Sequence, residues 1–134
     1  MRFADTSFWV ALALRRDRRH DTAAQLWAER DQPLLVSNHV LGEVWTFLRR
    51  RDGHGAASRA SELIERSDAV DVFHVPPDTE DEAWHWLRRH DEREYSFVDA
   101  TSFAVMRRRG MTEALAFDGD FSAAGFVEVR PQSG

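Results

Sequence analysis

The chain has 134 residues, no cysteine, 43% hydrophobic residues and a formal net charge of −5. A chain of this length and apolar content can bury one sizeable core, so we expect a single domain over residues 1–134. The composition excludes disulfides, thiolate metal sites and a protein that coats nucleic acid through bulk positive charge.

No apolar run approaches the roughly 20 residues needed to span a bilayer, and the N-terminus lacks the features of a signal peptide. We therefore expect a cytoplasmic protein without membrane contact. The 18 basic residues are all arginine. Arginine is a good bidentate ligand of phosphate, although arginines that close a helix are also favoured by the helix dipole alone.

Short apolar runs alternate with helical patterns along the chain. The runs predict strands at residues 3–4, 34–36, 70–75, 114–117 and 126–129. Caps and helical spacing predict helices at residues 8–14, 21–30, 39–51, 56–66, 78–90 and 96–109, and a frayed tail at 131–134. This alternation indicates an α/β domain whose short parallel sheet is covered by helices on both faces.

Four acidic residues stand at informative places in this pattern. Asp5 follows the first strand, Asp118 ends the fourth, and Asp99 lies in the first turn of the last predicted helix. Elements of this kind meet at one edge of a doubly wound sheet, which is where such sheets bind ligands. Glu43 projects from the apolar stripe of the third predicted helix, where an unpaired carboxylate is costly.

Each acid also has a purely structural explanation. Asp5 could be a helix N-cap, Asp99 the third residue of a capping box and Asp118 part of an Asx-turn. Glu43 could pair with a buried arginine. Together, however, carboxylates at one edge repel and raise each other's pKa unless a cation neutralises them. Oxygen ligands without cysteine suit Mg²⁺ or Mn²⁺.

Motifs of other chemistries are missing from the sequence. There is no His-Glu-x-x-His pair, no Gly-x-Gly-x-x-Gly or phosphate loop, and no Gly-x-Ser-x-Gly elbow. His39 lies one helical turn before Glu43 and could reach the same place, with a cap or a solvated side chain as the alternative. The acidic residues therefore carry the strongest functional signal.

The chain resembles the PIN-domain ribonucleases over essentially its whole length, and more narrowly the VapC-type toxins of type II toxin–antitoxin pairs. The resemblance rests on residues 3–7, Ser37 with residues 43–44, residues 96–100 and residues 116–121. Each motif is weak alone. Their order and spacing in so short a chain make the combination specific.

The resemblance implies a three-layer α/β/α sandwich and hydrolysis of RNA phosphodiester bonds with one or two Mg²⁺ ions. It implies that the catalytic and metal-binding residues are Asp5, Glu43, Asp99 and Asp118, supported by Ser7 and Asp120. It also implies a homodimer that a small antitoxin inhibits. The alternative is a PIN-like protein- or RNA-binding module without catalytic activity.

Two further expectations concern the partners. An acidic pocket repels a phosphate backbone, so neighbouring arginines must supply the attraction, and the candidates are Arg15, Arg16, Arg49 and Arg50. An antitoxin segment that fills the pocket should carry an arginine. An adjoining apolar helix could bind between the helices that hold Trp9 and Trp45.

Overall fold

The computed structural model describes residues 1–132, which form a five-stranded parallel sheet and seven helices. The strands are β1 (Arg2–Ala4), β2 (Leu34–Ser37), β3 (Val70–Phe73), β4 (Glu113–Leu115) and β5 (Val127–Glu128). The helices are α1 (Thr6–Ala13), α2 (His20–Glu29), α3 (Asn38–Asp52), α4 (His54–Arg66), α5 (Pro77–Arg89), α6 (Phe97–Arg108) and α7 (Asp120–Ala123). The predicted three-layer α/β/α fold is confirmed.

The strand order is β3-β2-β1-β4-β5, and every neighbouring pair is parallel. The chain moves outward from β1 to β3 and then returns to place β4 on the other side of β1. Phe3 accordingly pairs with Leu35 on one side and with Ala114 on the other. The direction of winding reverses between β1 and β4, and open α/β sheets bind ligands at the carboxyl ends of such strands.

Both faces of the sheet are covered. All four residues of β2 are buried, and successive side chains of a strand point to opposite faces. On α3 the core contacts come from Val40, Val44 and Leu48, which are fully buried and repeat every four residues. Burial of each such side chain contributes roughly 1.5–3 kcal/mol, so this stripe fixes how α3 sits on the sheet.

The predicted helices are all present, with each end within two residues of its predicted position. Strands β3, β4 and β5 are shorter than predicted, whereas β1 and β2 are each one residue longer. Beyond the ends of β3 and β4, side chains replace the sheet partners. The Val75 N–H donates to Asn38 Oδ1 at 2.9 Å, and the Phe117 N–H donates to Ser7 Oγ at 3.1 Å. The sheet hydrogen bonds of the two runs, residues 70–75 and 114–117, therefore end at Phe73 and Leu115.

The short helix α7 was not predicted. It begins after Gly119, whose φ of +82° lies in the left-handed region that glycine adopts without strain. Of the predicted tail at 131–134, residues 133 and 134 lie outside the described residues. Every helix within residues 1–132 is too short or too polar to cross a lipid bilayer.

Candidate active site

A cavity of about 680 Å³ lies at the carboxyl ends of β1 and β4, at the reversal of the sheet winding. We call it the acidic cavity. The acids expected from the sequence all line it, and they come from different elements: Asp5, Glu43, Asp99, Asp118 and Asp120. Ser7 lines it as well. The fold therefore brings together side chains that are up to 115 positions apart in the chain.

Asp5 is the most buried of these acids, with 4% of its surface exposed. It caps α1, and its Oδ2 accepts hydrogen bonds from the Ser7 N–H at 3.3 Å and the Ser7 hydroxyl at 2.8 Å. Burial raises the pKa of Asp5 from 3.8 to about 7, the Ser7 hydrogen bonds oppose this, and the negative charge of Asp99 adds to it. A cation that faced Asp5 would stabilise its charged form.

Asp99 is held by the capping box that the sequence indicates. Its Oδ2 accepts from the Ser96 N–H at 2.9 Å, while its own N–H donates to Ser96 Oγ at 3.0 Å. Burial raises the pKa of Asp99 to about 6, and the charges of Asp120 and Glu43 raise it further against the Ser96 hydrogen bonds. The cap and the acidic cavity therefore use the same side chain, so the two interpretations of Asp99 are compatible.

Glu43 extends from α3 toward the cavity, and the buried arginine considered as its partner is not found among residues 1–132. Asp118 follows β4; burial raises its pKa, the charges of Asp120 and Glu128 add to the shift, and Arg19 and Arg93 oppose it. The Asx-turn is not formed, since no hydrogen bond to the Asp118 side chain is found within residues 1–132. The backbone carbonyl of Asp118 accepts from Arg93 at 3.2 Å.

Arg93 is a cavity neighbour that the sequence analysis missed. It lies in the polar loop between α5 and α6, and its Nε donates to Asp120 Oδ1 at 2.9 Å. The guanidinium of Arg93 therefore compensates the charge of Asp120, whereas the pKa values of Asp5 and Asp99 remain raised. The sequence signal was a lone arginine in the acidic loop just before the Asp99 helix.

The carboxylates are spread around the cavity wall. Among residues 1–132, no three acidic or histidine side chains are close enough to hold one ion together. The chemistry of the donors nevertheless fits a hard divalent cation, because all are oxygens and Mg²⁺ keeps several waters beside one or two carboxylates. Thr6, which also lines the cavity, has a buried hydroxyl without a hydrogen-bond partner among the described residues.

The arginines near the site are distributed over two cavities and the exposed end of α3. Arg18 and Arg19 line the acidic cavity itself. A neighbouring cavity of about 550 Å³, which we call the basic cavity, is lined by three arginines, Arg15, Arg16 and Arg51, together with Asp17 and Asp52. The other two candidates for RNA contact, Arg49 and Arg50, are exposed on the last turn of α3, outside both cavities.

An apolar groove of about 460 Å³ lies on the other side of α1, between α2 and α4. Its main apolar residues are Trp9, Leu12, Trp27, Leu63 and Ile64. The groove was expected between the helices that hold Trp9 and Trp45. Trp9 of α1 does line it, but Trp45 of α3 does not. Trp45 is turned toward α4, where its ring meets that of His54 edge-on at 5.3 Å.

His39 lies outside the acidic cavity. Its Nε2 is 2.8 Å from Glu80 Oε2, and its ring packs edge-on against Phe97 at 5.6 Å. The side chain joins α3 to α5 and α6, which is a structural role.

Comparisons with known proteins agree with this geometry. The model of the PIN domain family matches residues 2–127. The chain is 63% identical over 132 residues to the 23S rRNA-specific endonuclease VapC20 of Mycobacterium tuberculosis strain CDC 1551 / Oshkosh, covering 98% of this chain and 100% of the relative. The same figures hold for VapC20 of strain ATCC 25618 / H37Rv.

The crystal structure of Mycobacterium tuberculosis VapC20, described as a sarcin–ricin loop cleaving toxin, superimposes with a TM-score of 0.94 at 62% identity. The match covers 98% of this chain and 100% of that one. With the family model, the near-complete relatives and the shared fold in agreement, this chain belongs to the PIN-domain family and, within it, to the VapC-type endoribonuclease toxins.

Proposed function

We propose that this chain is a metal-dependent endoribonuclease toxin that cleaves 23S ribosomal RNA at the sarcin–ricin loop, the substrate in the names of its relatives. The observation that carries the proposal is the acidic cavity, in which acids from separate elements meet at the reversal of the sheet. A bacterial ribosomal substrate would place its action in the cytoplasm.

In this proposal Asp5, Glu43, Asp99 and Asp118 hold Mg²⁺ or Mn²⁺, directly or through water. Such an ion would lower the pKa of a water molecule bound to it, so that hydroxide is available at neutral pH. It would also stabilise negative charge on the phosphate oxygens. Because Asp5 has a pKa of about 7, a cation beside it would hold it in its ionised form at neutral pH.

The remaining polar groups position the carboxylates and the RNA. Ser7 orients Asp5 through its hydroxyl, and Arg93 orients Asp120 through its Nε. The arginines that line the acidic and basic cavities draw the RNA backbone toward carboxylates that would otherwise repel it. This division separates attraction by arginine from catalysis by carboxylate.

The proposed protein partner is a small antitoxin encoded beside the gene. An arginine of the antitoxin would enter the acidic cavity as a bidentate partner of the carboxylates and compete with the metal. An apolar helix of the antitoxin would lie in the groove lined by Trp9, Trp27 and Leu63, whose side chain is 71% exposed. We also propose a homodimer, on the resemblance to VapC toxins alone.

The experiment is incubation of the purified protein with a hairpin RNA that carries the sarcin–ricin loop, with Mg²⁺ or with chelator, followed by mapping of new 5′ ends. We expect one metal-dependent cut in the loop, lost in Asp5→Asn. The matched control is Asp71→Asn, because Asp71 is an exposed acid on the edge strand β3. Cleavage that persists in chelator would contradict metal dependence.

Expression in cells tests the toxin role. Expression of the chain alone should slow growth, and co-expression of the adjacent small open reading frame should restore it. Asp5→Asn should be harmless and still bind the product of that reading frame through the groove. A wild-type protein that is innocuous at high expression and cuts no RNA would favour the non-catalytic binding module instead.

A further inference from the structure

Phe47 is the exposed member of the three apolar residues that line the acidic cavity; the other two, Val10 and Phe117, are buried. It lies on α3 one turn after Glu43, lines the acidic cavity and has 37% of its surface exposed. The core stripe of α3 is formed by other residues, namely Val40, Val44 and Leu48, all fully buried. Phe47 is therefore not required to fill the core, and its ring is available to a ligand.

The ring also lies beside a residue of the basic cavity. The guanidinium of Arg51 lies 5.1 Å from the centroid of the Phe47 ring, and Arg51 lines the basic cavity with Arg15 and Arg16. Asp17 lines both cavities. A continuous path therefore leads from the carboxylates past Phe47 to three arginines.

We infer that Phe47 and Arg51 form a stacking site for one unpaired base of the RNA substrate, next to the nucleotide whose phosphodiester bond is cut. Residues four apart on a helix have Cβ atoms roughly 5–6 Å apart, so a base on Phe47 lies beside the Glu43 carboxylate. The phosphate of that nucleotide would then meet Arg51 and the rest of the basic cavity. The inference rests on the proposed function.

The chemistry favours a single-stranded segment of RNA over a paired one. Aromatic rings hold bases that are splayed out of a stack, whereas the bases of a duplex are closed to such contact. An arginine beside the ring serves the stacked base and its phosphate together. The site thereby selects loops, and it tolerates different bases because every base presents a flat face.

The chain contains a matched control. Trp84 on α5 is likewise exposed, at 42%, and lies under an arginine four residues later, with Arg88 5.3 Å from its ring. Trp84 packs on Phe97 at 4.4 Å, outside the acidic cavity. An effect specific to Phe47→Leu and missing in Trp84→Leu therefore reports the position of the ring, and not its exposure or its arginine neighbour.

The experiment uses the full chain in chelator, so that RNA is bound without being cut. The probe is a short single-stranded RNA with 2-aminopurine at one position at a time, whose fluorescence falls when the base stacks on an aromatic ring. We expect quenching at one position, loss of quenching and about 5- to 50-fold weaker binding in Phe47→Leu, and retention of both in Phe47→Trp. Arg51→Gln should weaken binding and reduce its dependence on salt.

A second readout is cleavage of the loop-bearing hairpin with Mg²⁺. Phe47→Leu should raise KM with a smaller effect on kcat, and Trp84→Leu should change neither. If the wild type cuts RNA but no position of the probe is quenched, or if Phe47→Leu binds and quenches as the wild type does, the stacking site is wrong and the nuclease stands. If the wild type neither binds nor cuts RNA, both proposals fall.

Discussion

The acidic cavity and the apolar groove are built on the two sides of one short helix, and they are incomplete in opposite ways. The start of α1 supplies Asp5 and Ser7 to the cavity, while Trp9 and Leu12 of the same helix face the groove. The cavity gathers like charges, and the groove leaves apolar surface in water. Both arrangements cost free energy in the isolated chain, and a cation in the cavity or an apolar partner in the groove would lower that cost.

The acidic cavity and the apolar groove respond to different solution conditions. Repulsion among carboxylates depends on pH, on cations and on salt, because it is electrostatic. Exposure of the groove residues depends on none of these to the same degree, because the hydrophobic effect follows apolar area. A perturbation can therefore be aimed at one surface while the other serves as its internal reference.

The largest expected effect is on catalysis, in Asp99→Asn. The cleavage rate should fall by about 10³-fold, because a charge aimed at the reacting centre is lost. The amide oxygen can still accept from the Ser96 N–H, so the melting temperature of the metal-free protein should be unchanged or higher. Binding of the antitoxin helix to the groove should persist. A variant that melts far below the wild type yet still cuts RNA would reduce Asp99 to a helix cap.

The next largest effect is the dependence of stability on pH. Folded Asp5 keeps its proton up to about pH 7, while the unfolded chain loses it near 3.8. Between these values the folded state binds more protons, so the free energy of unfolding falls as pH rises. The stabilisation is complete below about pH 4 and is lost through pH 7, a change on the order of 4 kcal/mol for Asp5.

Urea unfolding of chelator-treated protein from pH 5 to pH 8 measures this trend. Asp5→Asn should reduce the slope of the curve, because the asparagine does not titrate, while Asp99, with a pKa of about 6, still contributes. Leu63→Ala, a change at an exposed residue of the apolar groove, should leave the slope of the curve unaltered. A wild-type stability that rises across this range would mean that Asp5 is not the dominant titrating group.

A bound metal ion should offset the repulsion among the carboxylates of the acidic cavity and leave the apolar groove unaffected. Mg²⁺ or Mn²⁺ at one hundred times its dissociation constant should stabilise the fold by about 2.7 kcal/mol, because it binds the folded state. Thermal melts in chelated buffer with and without metal measure the shift. The shift should vanish in Asp5→Asn and survive in Leu63→Ala. Superimposable wild-type melts at millimolar Mn²⁺ would count heavily against a shared cation site.

The smallest expected effect is on antitoxin binding, in a variant of the apolar groove. Leu63→Arg should weaken antitoxin binding by about 2 kcal/mol, the value of one buried leucine, with the cleavage rate unchanged. Glu65→Arg adds the same side chain at an exposed position of the same helix and should bind normally. Titration calorimetry with the purified antitoxin measures both. Equal losses in the two variants would point to charge and not to the groove.

The sheet and the positions of the four acids could be predicted from the sequence because the signals that specify them are local. Short apolar strands and capped helices are local signals, and the carboxyl ends of parallel strands meet at one edge whatever the loops do. Asp5 and Asp118 follow from that rule alone. Glu43 and Asp99 follow from helical periodicity and capping, which also act over a few residues.

The contacts of the arginines and of Trp45 could not be predicted in the same way. Arg93 reaches Asp120 from 27 positions away through an irregular loop, and no periodicity governs that approach. Trp45 could face either neighbour of α3, and the choice depends on how α4 packs. The end of β4 likewise depends on Ser7, which replaces a strand partner of Phe117 from a distant part of the chain.

That serine has a spectroscopic consequence. Its hydroxyl donates to Asp5 at 2.8 Å and accepts from the Phe117 amide at 3.1 Å, so three groups form one polarised chain. When a cation draws charge from the carboxylate, the hydroxyl becomes a weaker acceptor and the Phe117 amide proton becomes less deshielded. At a pH well above 7, where Asp5 is already ionised, the Phe117 amide resonance should therefore move upfield during a Mg²⁺ titration, and a single backbone signal would report the charge of Asp5 without any RNA present.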